Sequence, residues 1–559
     1  MRLSPPAALN RLAHALLAAA LAGLAILTLI DRGATRAYST PWIWLFWFIQ
    51  FAPLAIVALR AFSPSQPLQL PSRSWCALAG CLAAVEILSA LLSPYRGPSV
   101  LATLTPLATL ATFLLLVDWL AADRAARTDR AIRLAGFASL AIVVVSLGQW
   151  LLLDLPGSGV LHHFSRLFVY RNAHPLGHSN YTAALAVFAL PWFGALVARS
   201  RGRARAGWLL ALLLGLALLF SSGSRGGLLG LAALVAASLA LARVNRTRLA
   251  LWTLVAGAAA VALAYAHPRT RTLFSFRRPA AAAITESTVQ RAAMLTAGLR
   301  MGDDRPLLGW GPGTTPLVYP RFRAGLDGGV EDILQLHCTP TQIYADLGVP
   351  GLLAVLCFIL LVARATFPFA GAACRPASIA LAGFLVFSLT DYCLDVPIFA
   401  FALAACAALV APAQCHVLRD TPGFSTGEKC HVIRDTLPGR APRWVGIAAL
   451  AALVLVAGFG RRDPAPALNV RALQLARDPA QADRAIALLR QSLALNDDQE
   501  IAHFNLGWLL VTRDPPGAEA HFLAAAHLVP DKGGVYFGLA LSRLNQKRDD
   551  DAARALALA

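Results

Sequence analysis

The feature that most constrains this chain is the recurrence of apolar runs of about 20 residues. An α-helix rises about 1.5 Å per residue, so each run is long enough to cross the hydrocarbon of a bilayer. Thirteen such spans are expected, near 11–30, 42–59, 75–93, 100–121, 133–153, 180–198, 207–222, 226–242, 249–266, 347–364, 377–392, 396–412 and 444–460. Of the 559 residues, 57% are hydrophobic and only 14% are charged. A water-soluble chain carries about a quarter charged residues, so this one has too few to coat an aqueous surface. The expected fold class is an all-α, polytopic helical membrane protein.

The formal charge is +19, from 49 Lys and Arg against 30 Asp and Glu. Such an excess invites a nucleic-acid partner, but its placement argues for no nucleic acid. The Arg residues cluster in short loops, which is the positive-inside pattern. With the N-terminus in the cytoplasm, the cytoplasmic loops carry Arg124, Arg127, Arg130 and Arg133, then Arg199, Arg201, Arg203 and Arg205, then Arg243, Arg246 and Arg248. The long loops 154–179 and 267–346 then face outward, and thirteen spans put the C-terminal tail outside as well. The first apolar run resembles a signal peptide in length, but no convincing cleavage site follows it, so it is read as a retained span.

Three regions follow: a membrane domain over 1–460 with its outer loop near 267–346, a cytoplasmic linker at 413–443, and a helical domain over 464–559. None of the nine cysteines forms a CxxC pair, so a disulfide framework is not expected. The linker holds a near-duplicate, CHVLRDTPG at 415–423 and CHVIRDTLPG at 430–439. Its Cys-His pairs fit no standard zinc spacing, and a tandem duplication accounts for them. From Pro464 a 34-residue period appears: Asn496-Asp497 recurs as Pro530-Asp531, and FNLGWLL (504–510) corresponds to YFGLALSRL (536–544). The segment resembles tetratricopeptide repeats, helix pairs that stack into a concave surface for a protein partner. The alternative is a helical cap that binds nothing.

Polar residues gather where the outer loops meet the spans. In SSGSRGG (221–227), Arg225 sits in a turn too short to carry it far from the membrane. An Arg there needs an anionic partner or snorkels to lipid head groups, and its planar fork suits phosphate. Glycines 223, 226 and 227 leave room for another molecule to approach. Arg291 heads a helical segment in the long loop, followed by DRPLLGWGPGT (304–314), a turn-rich stretch packed by Trp310. The lone Gly311-Pro312-Gly313 is no nucleotide site, because Pro312 lacks an N–H. His337 precedes Gly348 by about ten residues, and its imidazole can accept a proton near pH 7. HPLGHSNYTA (174–183) opens the sixth span; His178 and Asn180 either bind sugar there or, for Asn180, cap the helix. Glu86 and Asp118 fall within spans and are read as interhelical groups outside the site.

Together these residues resemble the O-antigen ligase and polymerase family of membrane glycosyltransferases, over roughly residues 75–412. The family pattern of His, a polar residue, nine residues and GxxG reads here as His337, Cys338, Thr339 to Leu347, and Gly348-Val349-Pro350-Gly351. Ser224-Arg225-Gly226 matches its short SRG turn. Arg291 matches its Arg ahead of D-x-P-x-x-G-x-G, here Asp304, Pro306, Gly309 and Gly311. Gly177 to Asn180 matches its G-x-x-N, and SLTDYCLDVP (388–397) its late Asp…Pro signature. Cys338 departs from the usual Asn, Gln or Ser, which bears on the acceptor more than on the reaction.

The resemblance implies a GT-C-like fold in the bacterial inner membrane, with the active face periplasmic. It implies transfer of a glycan from a lipid-linked, undecaprenyl diphosphate donor to a hydroxyl, with inversion and without metal or other cofactor. Arg225 and Arg291 would hold the diphosphate, and His337 would take the acceptor proton. Asn180 and His178 would add contacts to the substrate. The acceptor would be lipid A-core, a second glycan or a protein, so ligase, polymerase and protein O-glycosylation stay open. A flippase of lipid-linked sugar is the reading from another class. It needs polar residues through the midplane, and these gather at one face.

Overall fold

The computed structural model describes residues 5–37, 39–62, 68–155, 170–241, 281–326, 333–367, 374–412, 443–530 and 532–559. Its longer helices are α1 (Pro5–Leu29), α2 (Trp42–Ala61), α3 (Arg73–Leu92), α4 (Leu104–Ala121), α5 (Arg124–Gln149), α6 (Ser179–Arg199), α7 (Gly202–Ser222), α8 (Arg225–Leu241), α9 (Ala281–Asp304), α10 (Thr315–Arg323), α11 (Thr339–Thr366), α12 (Arg375–Phe387), α13 (Pro397–Val410), α14 (Arg443–Phe459), α15 (Ala465–Leu475), α16 (Ala482–Leu495), α17 (Glu500–Leu510), α18 (Pro515–Leu528), α19 (Gly533–Asn545) and α20 (Asp549–Leu556). Among the described residues there is no strand. Eight described helical segments are long and apolar enough to cross a membrane, and α8, α12, α13 and α14 are shorter apolar helices. Each expected span therefore meets an apolar helix except the ninth, at 249–266, which lies outside the described residues.

The chain divides into two units. The first takes its described residues from Met1–Ala84, Leu104–Arg277 and Leu353–Gly458. At its centre is α6, the most enclosed of the candidate spans, which packs against α5, α7, α8 and α12. Small residues make this possible: Ala183, Ala184, Ala186 and Ala189 are buried along α6, interleaved with Phe188 and Phe193. Close approach of small-residue faces drives helix packing where lipid is as apolar as leucine. The same logic joins α8 to α12, where a Cβ on Gly230 would sit 2.9 Å from Val187 and 3.3 Å from the Gly383 carbonyl. Asp118 lies 2.6 Å from Arg60 and accepts the Gln69 N–H at 2.7 Å, so it ties α4 to α2.

The eleventh and twelfth expected spans, 377–392 and 396–412, are shorter as helices. α12 has 13 residues and α13 has 14, about 20 Å each against about 30 Å of hydrocarbon. Between them Ser388–Val396 is non-helical, with Asp391 and Cys393 buried. Non-helical backbone is tolerated at that depth only when protein encloses it.

The second unit takes its described residues from Val85–Thr103, Arg278–Leu352 and Phe459–Ala559. Two cores organise it. Met294, Ala297 and Met301 of α9 pack with Trp310, Val318, Tyr319, Leu336 and Ala345. In the C-terminal segment α15 to α20 pack in sequence, each on the next. Phe522 of α18 is fully buried there. A Cβ on Gly507 would come within 2.9 Å of its ring, so α17 lies tightly on α18. This tail is tied to the rest of the unit. Arg321 of α10 pairs with Asp498 at 2.9 Å, and the Asn496 amide donates to the Leu317 carbonyl at 3.4 Å. The Tyr95 hydroxyl donates to Asn496 Oδ1 at 3.3 Å, and the Arg461 N–H reaches the Gly97 carbonyl at 3.0 Å.

Candidate functional site

In the first unit Arg225 is the first residue of α8. Gly223 ends α7 in the left-handed conformation (φ +57°), where glycine carries no steric penalty. Ser224 then caps α8, its hydroxyl accepting the Gly227 N–H at 3.2 Å. An arginine in this place adds a full charge to the positive end of a helix, a combination that favours a bound anion. The neighbouring glycines have a packing role that the sequence alone does not show. A Cβ on Gly226 would overlap the Thr390 hydroxyl, and one on Gly227 would sit 2.8 Å from Ala183 and Leu219. They admit the loop after α12 and the flanks of α6 and α7, so close packing accounts for them without a ligand.

Beside this turn in the chain's contacts runs the segment 171–180. Asn172 is fully buried; its N–H donates to the Ser221 carbonyl at 2.9 Å, and its side chain reaches the Ser146 and Ser221 hydroxyls. Arg171 donates from Nε to the Ser222 carbonyl at 2.8 Å and from Nη2 to Asn180 Oδ1 at 3.2 Å. His174 lies between two carboxylates, Asp31 at 2.9 Å and Asp154 at 3.1 Å. The cap expected of Asn180 is not formed. α6 begins at Ser179 with His178 in the cap position and no capping side chain. Asn180 instead receives Arg171, because the preceding loop folds back over the helix end. His178 packs edge-on to Tyr181, ring centres 5.1 Å apart. Reading the sequence missed Arg171 and Asn172; their signal was a polar pair immediately before the apolar-flanked HPLGHSN.

In the second unit Arg291 is partly exposed on α9. It precedes Gly298 by two helical turns, about 10 Å of rise, on the face that carries Met294 and Met301. Gly298 lets that face close on the segment after α10: its Cβ would be 2.5 Å from Leu336 and Thr341. His337 follows Leu336 and is partly exposed. Cys338 precedes α11, and its sulfur accepts the Thr341 hydroxyl at 3.3 Å. The stretch 305–311 is a strap, as its Trp suggests. Trp310 Nε1 donates to the Met301 carbonyl at 3.1 Å, and its N–H to the Ala345 carbonyl at 2.9 Å. Arg305 lies 4.3 Å over the Trp310 ring. The strap meets α11 where that helix breaks. Gly348 is non-helical (φ +66°), and Val349 N–H donates to the Pro306 carbonyl at 2.8 Å.

Behind His337 lies a buried polar cluster that the sequence did not announce. Gln342 is 2% exposed and Asp346 6%. Gln342 Oε1 accepts the Leu336 N–H at 2.7 Å, and Nε2 donates to Thr315 Oγ1 at 2.6 Å and Asp346 Oδ2 at 2.8 Å. Ser89 Oγ donates to the Asp346 carbonyl at 2.8 Å. Glu86 lies near Asp346, with Oε2 enclosed. Arg291 and His337 thus belong to the second unit, while Arg225, His178 and Asn180 belong to the first. Among the described residues no three His, Cys, Asp or Glu are grouped to hold a metal ion. The two Cys-His pairs at 415–416 and 430–431 lie outside the described residues.

These elements define a polytopic helical membrane protein whose polar residues collect at helix ends and in the loop preceding α11. Residues 210–356 match the O-antigen ligase family model. The match runs from within α7 into α11 and contains Arg225, Arg291 and His337; His178 and Asn180 lie before it. No curated protein matched the chain. The family match supports a glycosyl-transfer role in O-antigen or polysaccharide synthesis.

Proposed function

We propose that the protein transfers a glycan from a polyprenyl diphosphate donor to an acceptor hydroxyl at the outer face of the bacterial inner membrane. The observation that carries this reading is the family match over the one segment that holds Arg225, Arg291 and His337. The acceptor oxygen attacks the anomeric carbon, and the bond from that carbon to the diphosphate oxygen breaks with inversion. The electron pair leaves on the diphosphate. Arg225, at the N-terminus of α8, and Arg291, on α9, stabilise that growing charge in a poorly hydrated place, an effect worth several kcal/mol. Two fixed guanidiniums do the work that a divalent cation does elsewhere. The acceptor proton passes to the His337 imidazole. His178 and Asn180 contribute glycan contacts beside Arg171.

The tail supports a particular version of the acceptor. It packs on α10 and on the 95–97 turn within the unit that carries His337. A tetratricopeptide-like tail fixed there is suited to presenting a protein or a glycan-bearing partner, so protein O-glycosylation stands as the second reading beside lipid A-core ligation.

The test is glycan transfer in proteoliposomes from a lipid-linked oligosaccharide to lipid A-core and to peptide. His337→Ala is expected to lose transfer by a hundredfold or more, within the range of about 10²–10⁴ that general bases contribute. Arg225→Lys keeps the charge but loses the fork, and turnover is expected to fall while folding is kept. Near-normal rates in both variants would remove these residues from the reaction.

A further inference from the structure

We infer that Gln342 is a positioning residue for His337, and that Asp346 and Thr315 hold it in that role. The inference rests on the proposed function of His337 and deepens it. His337 sits just before α11, in residues 333–338, which have no regular structure. A side chain on such a stretch is a poor base unless its backbone is fixed, because a misplacement of about 1 Å costs on the order of a hundredfold in rate. The residue before His337 is Leu336, and its backbone N–H, one peptide ahead of the bond into His337, is held at 2.7 Å by Gln342 Oε1. Leu336 itself is fully buried, so water does not replace this acceptor.

The orientation of the Gln342 amide follows from its partners. Nε2 faces the Asp346 carboxylate at 2.8 Å, which only accepts, and Thr315 Oγ1 at 2.6 Å. The opposite orientation would set an oxygen against a carboxylate and an NH₂ against the Leu336 N–H. Asp346 thus fixes which way Gln342 points, and Gln342 fixes the strand of chain that presents His337. Asp346 is anchored in turn, since its carbonyl accepts both the Ser89 hydroxyl and the Gly311 N–H at 3.0 Å. Gln342 and Asp346 stand four residues apart on α11, on one helical face. Neither side chain needs to touch substrate for this role.

The experiment uses the full chain in proteoliposomes with a lipid-linked oligosaccharide, and measures kcat and donor KM separately. Gln342→Met keeps the length of the side chain and removes both halves of the link. It is expected to lower kcat ten- to a hundredfold with donor KM unchanged. In a His337→Ala background, Gln342→Met is expected to cost nothing further, because the group it positions is gone. The swap Gln342→Glu with Asp346→Asn restores an acceptor for Leu336 and a donor for residue 342, and is expected to recover most of the rate. Should Gln342→Met fold poorly, Thr315→Val, which removes one acceptor of Nε2, is expected to show the same kcat-only loss to a smaller degree. Full kcat in Gln342→Met beside an inactive His337→Ala would overturn the positioning role alone. An equal loss on both backgrounds would overturn it too, by showing that Gln342 acts elsewhere. Full activity in His337→Ala would overturn the proposed base, and this inference with it.

Discussion

Gly226 separates two accounts of the SRGG turn. If it is glycine so that a ligand can approach, any side chain there blocks transfer whatever its neighbours do. If it is glycine for packing, the block lies in Thr390 and can be removed. In Gly226→Ala the new methyl overlaps the Thr390 hydroxyl, with Thr390 Cβ 3.1 Å away. Overpacking of this kind costs about 1–3 kcal/mol. Thr390→Ala alone loses the hydrogen bond from its hydroxyl to the Phe387 carbonyl at 2.8 Å, about 1 kcal/mol. Additive effects would therefore total about 3 kcal/mol. In the double variant the hydroxyl is gone and the nearest neighbour is the 3.1 Å Cβ, which must give by only a few tenths of an ångström. The double variant is then expected to lose no more than about 1.5 kcal/mol, a favourable coupling of about 1.5 kcal/mol. Thermal stability of the purified protein in detergent reads the coupling, and glycan transfer in proteoliposomes reads the function. A double variant as unstable as the sum of the singles would refute the packing account. So would a double variant that is stable but inactive, which would return Gly226 to the ligand.

Three further outcomes are expected. His503 and His521 face each other through their Nδ1 atoms at 3.0 Å, so one nitrogen must be unprotonated; burial first, then His503 and Arg490, hold the His521 pKa below its ordinary 6.5 against the pull of Asp497 and Asp514. A His whose pKa is lowered by folding contributes stability above its unfolded value and loses it as pH falls through the folded one, so the protection of α17 and α18 amides against hydrogen exchange, corrected for the intrinsic exchange rate at each pH, should fall from pH 7 to pH 5, and His521→Gln should flatten that dependence. Breaking the partly exposed Arg321–Asp498 pair with Asp498→Asn is expected to cost under about 1 kcal/mol, yet to raise protease cleavage between α14 and α15, with the charge swap Arg321→Asp plus Asp498→Arg restoring protection. Gly348→Ala places a side chain at φ +66° with Cβ 2.9 Å from the Leu307 carbonyl carbon, and is expected to reduce folded yield severely, whereas Gly458→Ala, which has open space around it, should be silent.

The spans were legible because apolar length is a direct consequence of bilayer thickness, and nearly every expected span meets an apolar helix. Two features were not. The helix α12 stops at Phe387, so Ser388 to Tyr392, the end of the eleventh expected span, lie in the break before α13, and hydropathy alone does not place such a helix end. The partners of Asn180 were equally hidden. A residue of that type before an apolar run is an ordinary cap by local rules, and only the return of Arg171 over the helix end changes its role. Local rules fail there because the competing donor comes from outside the helix.

The spacing from His337 to Gly348 can now be given a physical meaning. Gly348 marks where α11 breaks, and the strap from Arg305 to Gly311 enters that break through the Val349 and Gly311 amides. The nine residues before it, Thr339 to Leu347, make about two and a half turns of helix. That length sets Gln342 and Asp346 on the face directed at Thr315 and Leu336. One residue more or fewer would rotate this face by about 100° and detach the amide that holds the chain before His337. A pattern that reads in the sequence as a count between a histidine and a glycine is therefore, in the structure, a register: the glycine fixes the end of the helical segment, and the segment fixes the histidine.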